Sequence, residues 1–490
     1  MSDAEAFRVS NPVDSSVFKA NDIRGVANIQ IDARFAFLLG CSLVEELNTK
    51  RVVVGYDARL SSEELHTALS QGIKRSGGYV TSAGMCPTEL LYYLVGRYGQ
   101  RWDLAVMITA SHNPPEYNGF KIIGSGATPF VDDSTFERIF YWMEDHHRLR
   151  VADTSFSDVQ SQITYQDFLS EYVQYCLCVA GMPDTSLPAI VVDPGNGVGG
   201  LLWEELERQK GIRPIKLNFQ PDGRFPAHPP DPSKSENLNE LVSATCRQGK
   251  GLGLAYDGDS DRVFVTLPNG RILDGNSLTA LLSTMVIHEK KDLSCAVSMD
   301  TRRATLEFLE KHLGNSHMVP IGHTKIKRQM AASPQVRFAG EPSGHYFYQD
   351  FYRSESSLIT TLLILKAYTT GDFQMVLDEL RDDRRFVSLD VPLHENTIAE
   401  TQRRCVNAAE SVLEQWSQFD EIMYELDDTV RHTTRTPIPS SAQSVRIDYP
   451  DWWVCIRPSQ TEPLIRIYVE SDDGSDPNYY VQSILKYVGQ

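Results

Sequence analysis

Three aspartates stand close together in the segment Asp257-Gly-Asp259-Ser-Asp261-Arg262. Carboxylates at positions i, i+2 and i+4 of one short loop repel each other unless a cation lies among them. Oxygen ligands of this kind suit Mg²⁺ or Ca²⁺. An EF-hand does not fit, because its sixth position requires glycine and holds Arg262, and its twelfth requires glutamate and holds Pro268. The guanidinium that follows the carboxylates indicates an anion beside the metal, most simply a phosphate. The alternative is a solvated acidic turn.

A second reactive segment, Thr109–Lys121, follows the apolar run Leu104–Ile108. It contains Asn-Pro and Asn-Gly pairs, which are ordinary turn formers, so a surface turn is one interpretation. The other is a catalytic loop. In a few residues it offers the hydroxyl of Ser111, the imidazole of His112 and the amine of Lys121.

Near the end of the chain, Arg457-Pro-Ser459-Gln-Thr461 places a guanidinium and two hydroxyls on one predicted turn. Backbone N–H groups of such a turn can join an arginine fork in holding an anion. The first turn of a helix is the other interpretation, but a strand-like run follows. We therefore predict a phosphate site formed by Arg457, Ser459 and Thr461.

Polar groups suited to grasping a sugar occur in the segment Gly340-Glu341-Pro-Ser343-Gly-His345. It combines a carboxylate acceptor, a hydroxyl and an imidazole within five residues. The nearby segment Gly322–Lys327 adds His323 and the cationic donor Lys327. We predict that Glu341, Ser343, His345, His323 and Lys327 contribute to substrate binding.

The segment Gly195-Asn-Gly197-Val-Gly-Gly200 matches the G-x-G-x-x-G pattern of dinucleotide-binding folds. That assignment requires an acidic residue at the end of the next strand, about 20 residues later. The predicted strand, roughly 215–219, has no carboxylate at its tip, and Asp222 falls later in a Pro-Asp-Gly turn. We therefore interpret the glycines as a tight turn between a strand and a helix.

The elements that must position these loops repeat along the chain. Short apolar runs that each end in an aspartate lead into a loop, and a helix-like segment follows, which is typical of βαβ units. The three strand–helix pairs are 52–57 with 63–75, 189–193 with 201–210, and 296–300 with a helix to about 311. The last hundred residues carry a long helix (400–418) and two strand-like runs (452–456 and 464–469), which predicts a closing α+β domain.

Composition limits the class of protein. A chain of 490 residues with 41% hydrophobic and 23% charged residues is expected to form several globular domains. The formal charge of -18 argues against nucleic-acid binding but leaves room for a local cationic site. No apolar stretch is long enough to span a membrane, and the N-terminus lacks the pattern of a signal peptide. Eight scattered cysteines favour reduced thiols, so we expect a cytoplasmic protein without a membrane partner.

Taken together, the loops resemble motifs of the phosphohexomutase family, of the phosphomannomutase/phosphoglucomutase type, in the order of that family. The resemblance spans nearly the whole chain. It rests on five segments: an N-terminal motif (18–25), a phosphoserine loop (109–114), a metal loop (257–262), a sugar-recognition loop (340–345) and a phosphate loop (457–463).

The resemblance implies an α/β protein of four domains around a central cleft: three related α/β domains with mixed sheets, and a C-terminal α+β domain. We place the phosphoserine loop in domain 1–158, the metal loop in 159–268, the sugar loop in 269–384 and the phosphate loop in 385–490. A monomer or a homodimer is expected.

The resemblance also assigns catalytic roles. Ser111 carries the phosphate, and one Mg²⁺ per subunit is bound by Ser111 together with Asp257, Asp259 and Asp261. Lys121 is the expected general acid and base. Its pKa would have to be lowered by neighbouring cations, for which Arg24 and Arg262 are candidates. His112 orients the loop, and His323 shares proton transfer or holds substrate.

The implied reaction interconverts hexose 1-phosphate and hexose 6-phosphate, with mannose and/or glucose as the sugar, through a bisphosphorylated sugar intermediate. Arg262 joins the substrate ligands predicted above. Three alternatives stay open: a phosphoglucosamine-type mutase, a Mg²⁺-dependent sugar phosphatase and a non-catalytic sugar-phosphate-binding protein. Asn21, Pro342 and Gln460 depart from the family motifs, so the sequence leaves the preferred sugar undecided.

Overall fold

The structure is a computed structural model. It describes residues 13–19, 22–129, 133–147, 164–182, 187–287, 292–314, 316–380, 384–393, 398–434, 437–459, 464–472 and 474–488. The chain forms two compact units. Unit 1 comprises 1–273 and 344–369, and unit 2 comprises 274–343 and 370–490.

The first domain of unit 1 is a seven-stranded mixed sheet with helices. Its strand order is β1-β5-β4-β2-β3-β7, with β6 beside β5. Every residue of β4 is buried, as expected for an apolar strand covered on both faces. The strands are β1 (Ile23–Val26), β2 (Arg51–Tyr56), β3 (Tyr79–Met85), β4 (Leu104–Ile108), β5 (Tyr117–Gly124), β6 (Thr128–Pro129) and β7 (Thr164–Tyr165). The helices are α1 (Ala33–Glu45), α2 (Ser62–Arg75), α3 (Thr88–Arg97) and α4 (Asp133–Asp145).

The second domain of unit 1 has a five-stranded sheet in the order β12-β11-β10-β8-β9. Strands β10 and β11 pair antiparallel, so residues 257–262 form the loop of a hairpin. The strands are β8 (Ile190–Asp193), β9 (Ile215–Lys216), β10 (Leu252–Tyr256), β11 (Val263–Thr266) and β12 (Ile272–Leu273). The helices are α5 (Leu169–Ala180), α6 (Gly199–Lys210) and α7 (Asn239–Gln248).

Unit 2 contains an α/β part and an antiparallel sheet. In the α/β part, β13 pairs parallel with β14 and β15. Its elements are α8 (Gly275–Ile287), β13 (Ser294–Ser298), α9 (Arg303–Leu313), β14 (Ser316–Val319), α10 (His323–Ala332) and β15 (Val336–Gly340). An antiparallel pair, β16 (Tyr346–Tyr348) and β17 (Ser354–Glu355), and most of α11 (Ser357–Thr370) belong to unit 1.

The C-terminal part of unit 2 is a six-stranded antiparallel sheet in the order β18-β23-β22-β21-β19-β20. Its strands are β18 (Arg385–Pro392), β19 (Glu421–Leu426), β20 (Thr429–Thr433), β21 (Val445–Asp448), β22 (Trp452–Pro458) and β23 (Leu464–Ser471). The helices are α12 (Asp372–Glu379), α13 (Ile398–Gln415) and α14 (Pro477–Val488).

The predicted architecture of mixed α/β sheets with a closing α+β domain is confirmed. The predicted strand-to-helix turn at Gly195–Gly200 leads directly into α6, with Asn196 in the left-handed conformation (φ 59°). Helix α13 ends three residues before its predicted end at Gln418. Across the described ranges, no helix combines the length and apolarity that crossing a membrane requires.

Candidate active site

The serine loop of unit 1 connects β4 to β5 and holds Ser111 in a restricted conformation. Ser111 is 2% exposed and has φ of 51°, which is uncommon for a residue with a side chain. Its backbone N–H donates to Thr109 Oγ1 at 2.8 Å, and that hydroxyl donates to Asp57 Oδ2 at 2.7 Å. Asp57, the aspartate that follows β2, therefore anchors the loop.

Arg59 fixes the same loop from the other side. It is buried, and it donates to Asp57 Oδ2 at 3.1 Å. Its two terminal nitrogens donate to four loop carbonyls, those of Ser111 (2.9 Å), Asn113 (2.6 Å), Pro114 (2.6 Å) and Tyr117 (2.9 Å). Sequence reasoning did not identify Arg59 as a site residue. The only sequence signal was its place in the loop after a strand that ends at an aspartate.

The metal loop lies against the serine loop. Asp257 Oδ2 accepts a hydrogen bond from Ser111 Oγ at 2.9 Å, and Asp257 Oδ1 accepts from the backbone N–H groups of Asp261 and Arg262. A Cβ atom added to Gly258 would lie 2.6 Å from the Ser111 carbonyl oxygen, so the two backbones meet where a side chain cannot fit. The structure thus brings together Ser111 and the predicted metal ligands.

The three aspartates fit a hard divalent cation. All three are buried, and one potential ligand atom from each lies within 4.8 Å of the others. Asp259 Oδ1 and Asp261 Oδ1 are buried without a hydrogen-bond partner. Burial and the neighbouring charges of Asp261 and Asp259 raise the pKa of Asp257 well above its usual value. A cation with oxygen ligands would relieve this excess of buried negative charge.

Lys121, on β5, contacts the metal loop directly. Its Nζ donates to Asp259 Oδ2 and Asp261 Oδ2, both at 2.6 Å. Burial would lower the pKa of Lys121, but these two carboxylates outweigh burial and raise it. From the sequence we expect neighbouring cations to lower this pKa, whereas the groups in direct contact with the amine are the two carboxylates.

Arg24 and His112 flank the serine. Arg24 donates to Asn113 Oδ1 at 2.7 Å and to Asp22 Oδ2 at 2.5 Å. His112 Nδ1 lies 3.1 Å from Ser111 Oγ. Burial, and then the positive charges of Arg262 and Arg24, hold the pKa of His112 well below its usual value. A neutral imidazole at this position can orient the serine hydroxyl.

Arg262 and His345 complete the group of predicted residues in unit 1. Arg262 Nε lies 3.2 Å from His345 Nε2 and 3.7 Å from Asp257 Oδ2. His345 Nε2 lies 3.4 Å from Asp261 Oδ1. Direct contacts therefore link Ser111, His112, Lys121, the three aspartates, Arg262 and His345, and Arg24 contacts Asn113 of the same serine loop. This group combines a buried hydroxyl, a metal-type carboxylate set and several cations, which suits transfer of a phosphoryl group.

Arg457 belongs to unit 2. It is the second-to-last residue of β22 and does not lie on the predicted turn itself. It donates to the Tyr468 hydroxyl at 2.9 Å, while its Nε is buried without a hydrogen-bond partner. Burial would lower the pKa of Arg457, but Tyr468 and Asp300 outweigh burial and raise it, so the guanidinium stays charged. Ser459 N–H donates to the Leu464 carbonyl at 2.8 Å and closes the loop. Thr461 and Gln460 lie outside the described residues, as does Asn21.

Three of the other predicted substrate ligands of unit 2, His323, Lys327 and Glu341, lie at the start of α10. His323 is its first residue, and Lys327 is buried one turn later. Glu341 Oε1 accepts the N–H of Gly322, at 3.0 Å, so this carboxylate also fixes the start of α10. Ser343 is exposed. Gly275 lies against the Pro342 backbone, where an added Cβ would be 2.4 Å from the carbonyl oxygen.

Comparison with known families finds four matches along the chain. They are the phosphoglucomutase/phosphomannomutase alpha/beta/alpha domains I (15–140), II (165–270) and III (274–384), and the C-terminal domain of the same family (400–486).

Similar proteins cover almost the whole chain. A phosphomannomutase of Methanocaldococcus jannaschii is 30% identical over 479 residues, which is 97% of this chain and 98% of that protein. A phosphomannomutase/phosphoglucomutase of Pseudomonas aeruginosa is 29% identical over 468 residues, 94% of this chain and 92% of that protein. A crystal structure of a phosphoglucomutase/phosphomannomutase family protein from Burkholderia thailandensis superposes with a TM-score of 0.78. It is 26% identical and covers 97% of each chain.

Proposed function

Because the chain belongs to the phosphoglucomutase/phosphomannomutase family, we propose that it is a phosphohexomutase that interconverts hexose 1-phosphates and hexose 6-phosphates. The sugar is mannose, glucose or both, as the names of the relatives suggest. A phosphoglucosamine-type activity remains the alternative for the sugar.

The observation that carries the proposal is the buried contact between Ser111 Oγ and Asp257 Oδ2 at 2.9 Å. A serine that only shaped a turn would not need a carboxylate from a loop 146 residues away. The same carboxylate set could bind Mg²⁺ together with a phosphate on Ser111. Mg²⁺ there would supply charge neutralisation for the transferred phosphoryl group.

The proposed reaction consists of two phosphoryl transfers. In the first, the bond between Ser111 Oγ and phosphorus breaks while a free sugar hydroxyl oxygen bonds to phosphorus and loses its proton. Ser111 Oγ gains a proton, and the product is the bisphosphorylated sugar. In the second, the other phosphate of that sugar moves to Ser111 Oγ, which loses its proton, and the former sugar oxygen gains one. Lys121 is the proposed relay: its contact with Asp259 and Asp261 keeps it charged until substrate arrives, so it gives a proton to the leaving oxygen and takes up the one that the attacking hydroxyl releases.

The remaining predicted residues are proposed as substrate ligands. Arg262 and His345 act within unit 1, beside the metal loop. In unit 2 we assign this role to His323, Lys327, Glu341, Ser343, Arg457, Ser459 and Thr461. Arg457 supports the assignment most directly, because it is a buried cation with an unused donor.

The test is a coupled assay with glucose 1-phosphate and mannose 1-phosphate, run with a trace of the corresponding bisphosphate and Mg²⁺. We expect hexose 6-phosphate to form much faster than inorganic phosphate is released. If inorganic phosphate is released as fast as hexose 6-phosphate forms, or faster, the enzyme is a phosphatase and the mutase proposal is wrong. Binding of sugar phosphate with neither product would indicate the non-catalytic alternative. A parallel assay with N-acetylglucosamine 1-phosphate decides between hexose and amino sugar.

A further inference from the structure

Thr88, the first residue of α3, makes two hydrogen bonds to a single residue of the metal loop. Its hydroxyl donates to Asp259 Oδ2 at 2.6 Å, and its backbone N–H donates to the Asp259 carbonyl oxygen at 3.0 Å. Thr88 is fully buried, and 171 residues separate it from Asp259. The first domain of unit 1 therefore holds both the side chain and the backbone of one predicted metal ligand in the second domain.

The hydrogen bond from the Thr88 hydroxyl gives the two carboxylate oxygens of Asp259 different surroundings. Oδ2 accepts from Thr88 Oγ1 and from Lys121 Nζ, both at 2.6 Å. Oδ1 is buried without a hydrogen-bond partner. A carboxylate with one oxygen fully engaged cannot rotate freely, so the other oxygen stays available for a cation. Hydrogen bonds that orient a ligand in this way commonly control metal affinity.

The next residue of the metal loop is held from α11. Ser357 Oγ donates to the Ser260 carbonyl oxygen at 2.9 Å and lies 3.3 Å from Glu89 Oε1, on the residue that follows Thr88. Ser260 has φ of 57°, a conformation that a serine adopts only when its surroundings fix it. Two consecutive residues of the metal loop are thus fixed, Asp259 by Thr88 and Ser260 by Ser357.

We infer that Thr88 is a positioning residue for the divalent cation, which acts through Asp259 and makes no contact with the reacting atoms. The inference rests on the proposed function for the presence of the cation. Within this role the hydroxyl matters more than the size of the side chain, because it is the hydroxyl that engages Oδ2. Valine has nearly the shape of threonine but lacks this donor.

The experiment measures metal binding directly, without substrate. Wild type, Thr88→Val, Thr88→Ser and Thr88→Ala are purified. Intact-mass measurement is used to choose preparations with the same extent of phosphorylation at Ser111. Free Mn²⁺ is then titrated by electron paramagnetic resonance. We expect Thr88→Val and Thr88→Ala to weaken Mn²⁺ binding about 10- to 100-fold, and Thr88→Ser to stay within about threefold of wild type. Mutase activity of Thr88→Val should recover largely at high Mn²⁺, which a general loss of structure would not allow.

Thr67→Val is the matched control. Thr67 is a buried threonine of α2 whose hydroxyl donates at 3.0 Å to the Glu63 carbonyl of its own helix. We expect this variant to bind Mn²⁺ as wild type does. The inference is overturned if folded Thr88→Val or Thr88→Ala binds Mn²⁺ within about twofold of wild type, or if Thr67→Val weakens binding equally. If Thr88→Val does not fold, Thr88→Ala decides. A wild type that binds Mn²⁺ but lacks mutase activity would contradict the proposed function and leave the Thr88 test intact.

Discussion

The serine–aspartate cluster of unit 1 (Ser111, Lys121, Asp257, Asp259 and Asp261) and Arg457 of unit 2 use buried charge in opposite ways. In the cluster, the lysine lies 2.6 Å from two carboxylates, and the serine hydroxyl contacts the third. Arg457 is equally buried, but among the described residues its hydrogen-bond partners are a tyrosine hydroxyl and the Pro458 carbonyl. The first region holds an excess of buried negative charge that a cation would relieve, and the second holds a buried cation with an unused donor.

The difference indicates how each region depends on ligands. A cluster whose members are tied together by short hydrogen bonds is held in its geometry before substrate binds, which is what transfer of a phosphoryl group requires. A buried guanidinium with an unused donor gains most from an anion that arrives from outside. Changes in the first region should therefore reduce the chemical step, and changes in the second should reduce substrate binding together with whatever that binding supports.

The largest effect is expected for Ser111→Ala, which removes the group proposed to carry the phosphate. We expect kcat to fall at least about 10³-fold, because a nucleophile has no substitute within the cluster. Intact mass should show one phosphate on active wild type and none on the variant.

The control for this change is Ser42→Ala, which removes a buried hydroxyl that donates to the Leu39 carbonyl at 2.8 Å within α1. It should keep both activity and the phosphate. A Ser111→Ala enzyme that stays active and carries phosphate elsewhere would show that the serine–aspartate cluster of unit 1 does not carry out the transfer.

The next effect concerns Arg457. Arg457→Ala should raise KM strongly and also lower kcat, with kcat/KM falling about 30- to 1000-fold, the equivalent of about 2–4 kcal/mol for a charge-assisted contact. Ser111 should still be phosphorylated as purified. Arg457→Lys should recover only part of the loss, since it keeps the charge but not the fork.

Arg466→Ala provides the comparison for Arg457. Arg466 is the cross-strand neighbour of Arg457 and pairs with Asp390 at 3.0 Å, with its side chain partly exposed. We expect kcat/KM within about twofold of wild type, because exposed ion pairs contribute little. If Arg457→Ala were equally mild, the spare charge in unit 2 would have no role in substrate binding.

The smallest effect is expected for Tyr468→Phe, which removes the 2.9 Å contact to Arg457 but leaves the ring beneath the guanidinium. The ring stays in place and only one hydrogen bond is lost, which costs about 1–1.5 kcal/mol, so kcat/KM should fall about 5- to 12-fold, mainly through KM. Tyr449→Phe, which loses a 3.5 Å contact to a backbone carbonyl, should have almost no effect. Equal effects of the two variants would show that Tyr468 does not orient Arg457.

The sequence predicts the repeated strand–loop–helix pattern well, because buried strands and amphipathic helices have local signatures. Helix α2 begins one residue before its predicted start. The predicted aspartates lie at the ends of their strands: Asp57 directly follows β2, Asp193 is the last residue of β8, and Asp300 comes two residues after β13. The placement of three aspartates in a hairpin loop is equally local, since the flanking runs pair directly.

The contacts that hold the site could not be predicted in the same way. Arg59 acts on carbonyl groups more than fifty residues later, and Thr88 acts on Asp259 across 171 residues. Backbone carbonyls carry no mark in a sequence, so nothing local distinguishes Arg59 from any arginine in a loop. The surroundings of Lys121 could not be predicted for the same reason. The sequence shows cations and carboxylates in several separate motifs, but only the folded structure shows which of them touch the amine.

The backbone contact between Gly258 and the Ser111 carbonyl has a consequence for biosynthesis. A ribosome adds about 5–20 residues per second, so the 146 residues between Ser111 and Asp257 take roughly 7–30 s to make. During that interval the nascent first domain can fold, and Arg59 can form its hydrogen bonds to the serine loop. The carboxylates of the metal loop have not yet been translated. Ser111 is therefore synthesised well before the carboxylate that contacts it. A truncated or stalled chain would contain the serine loop but lack the rest of the proposed site.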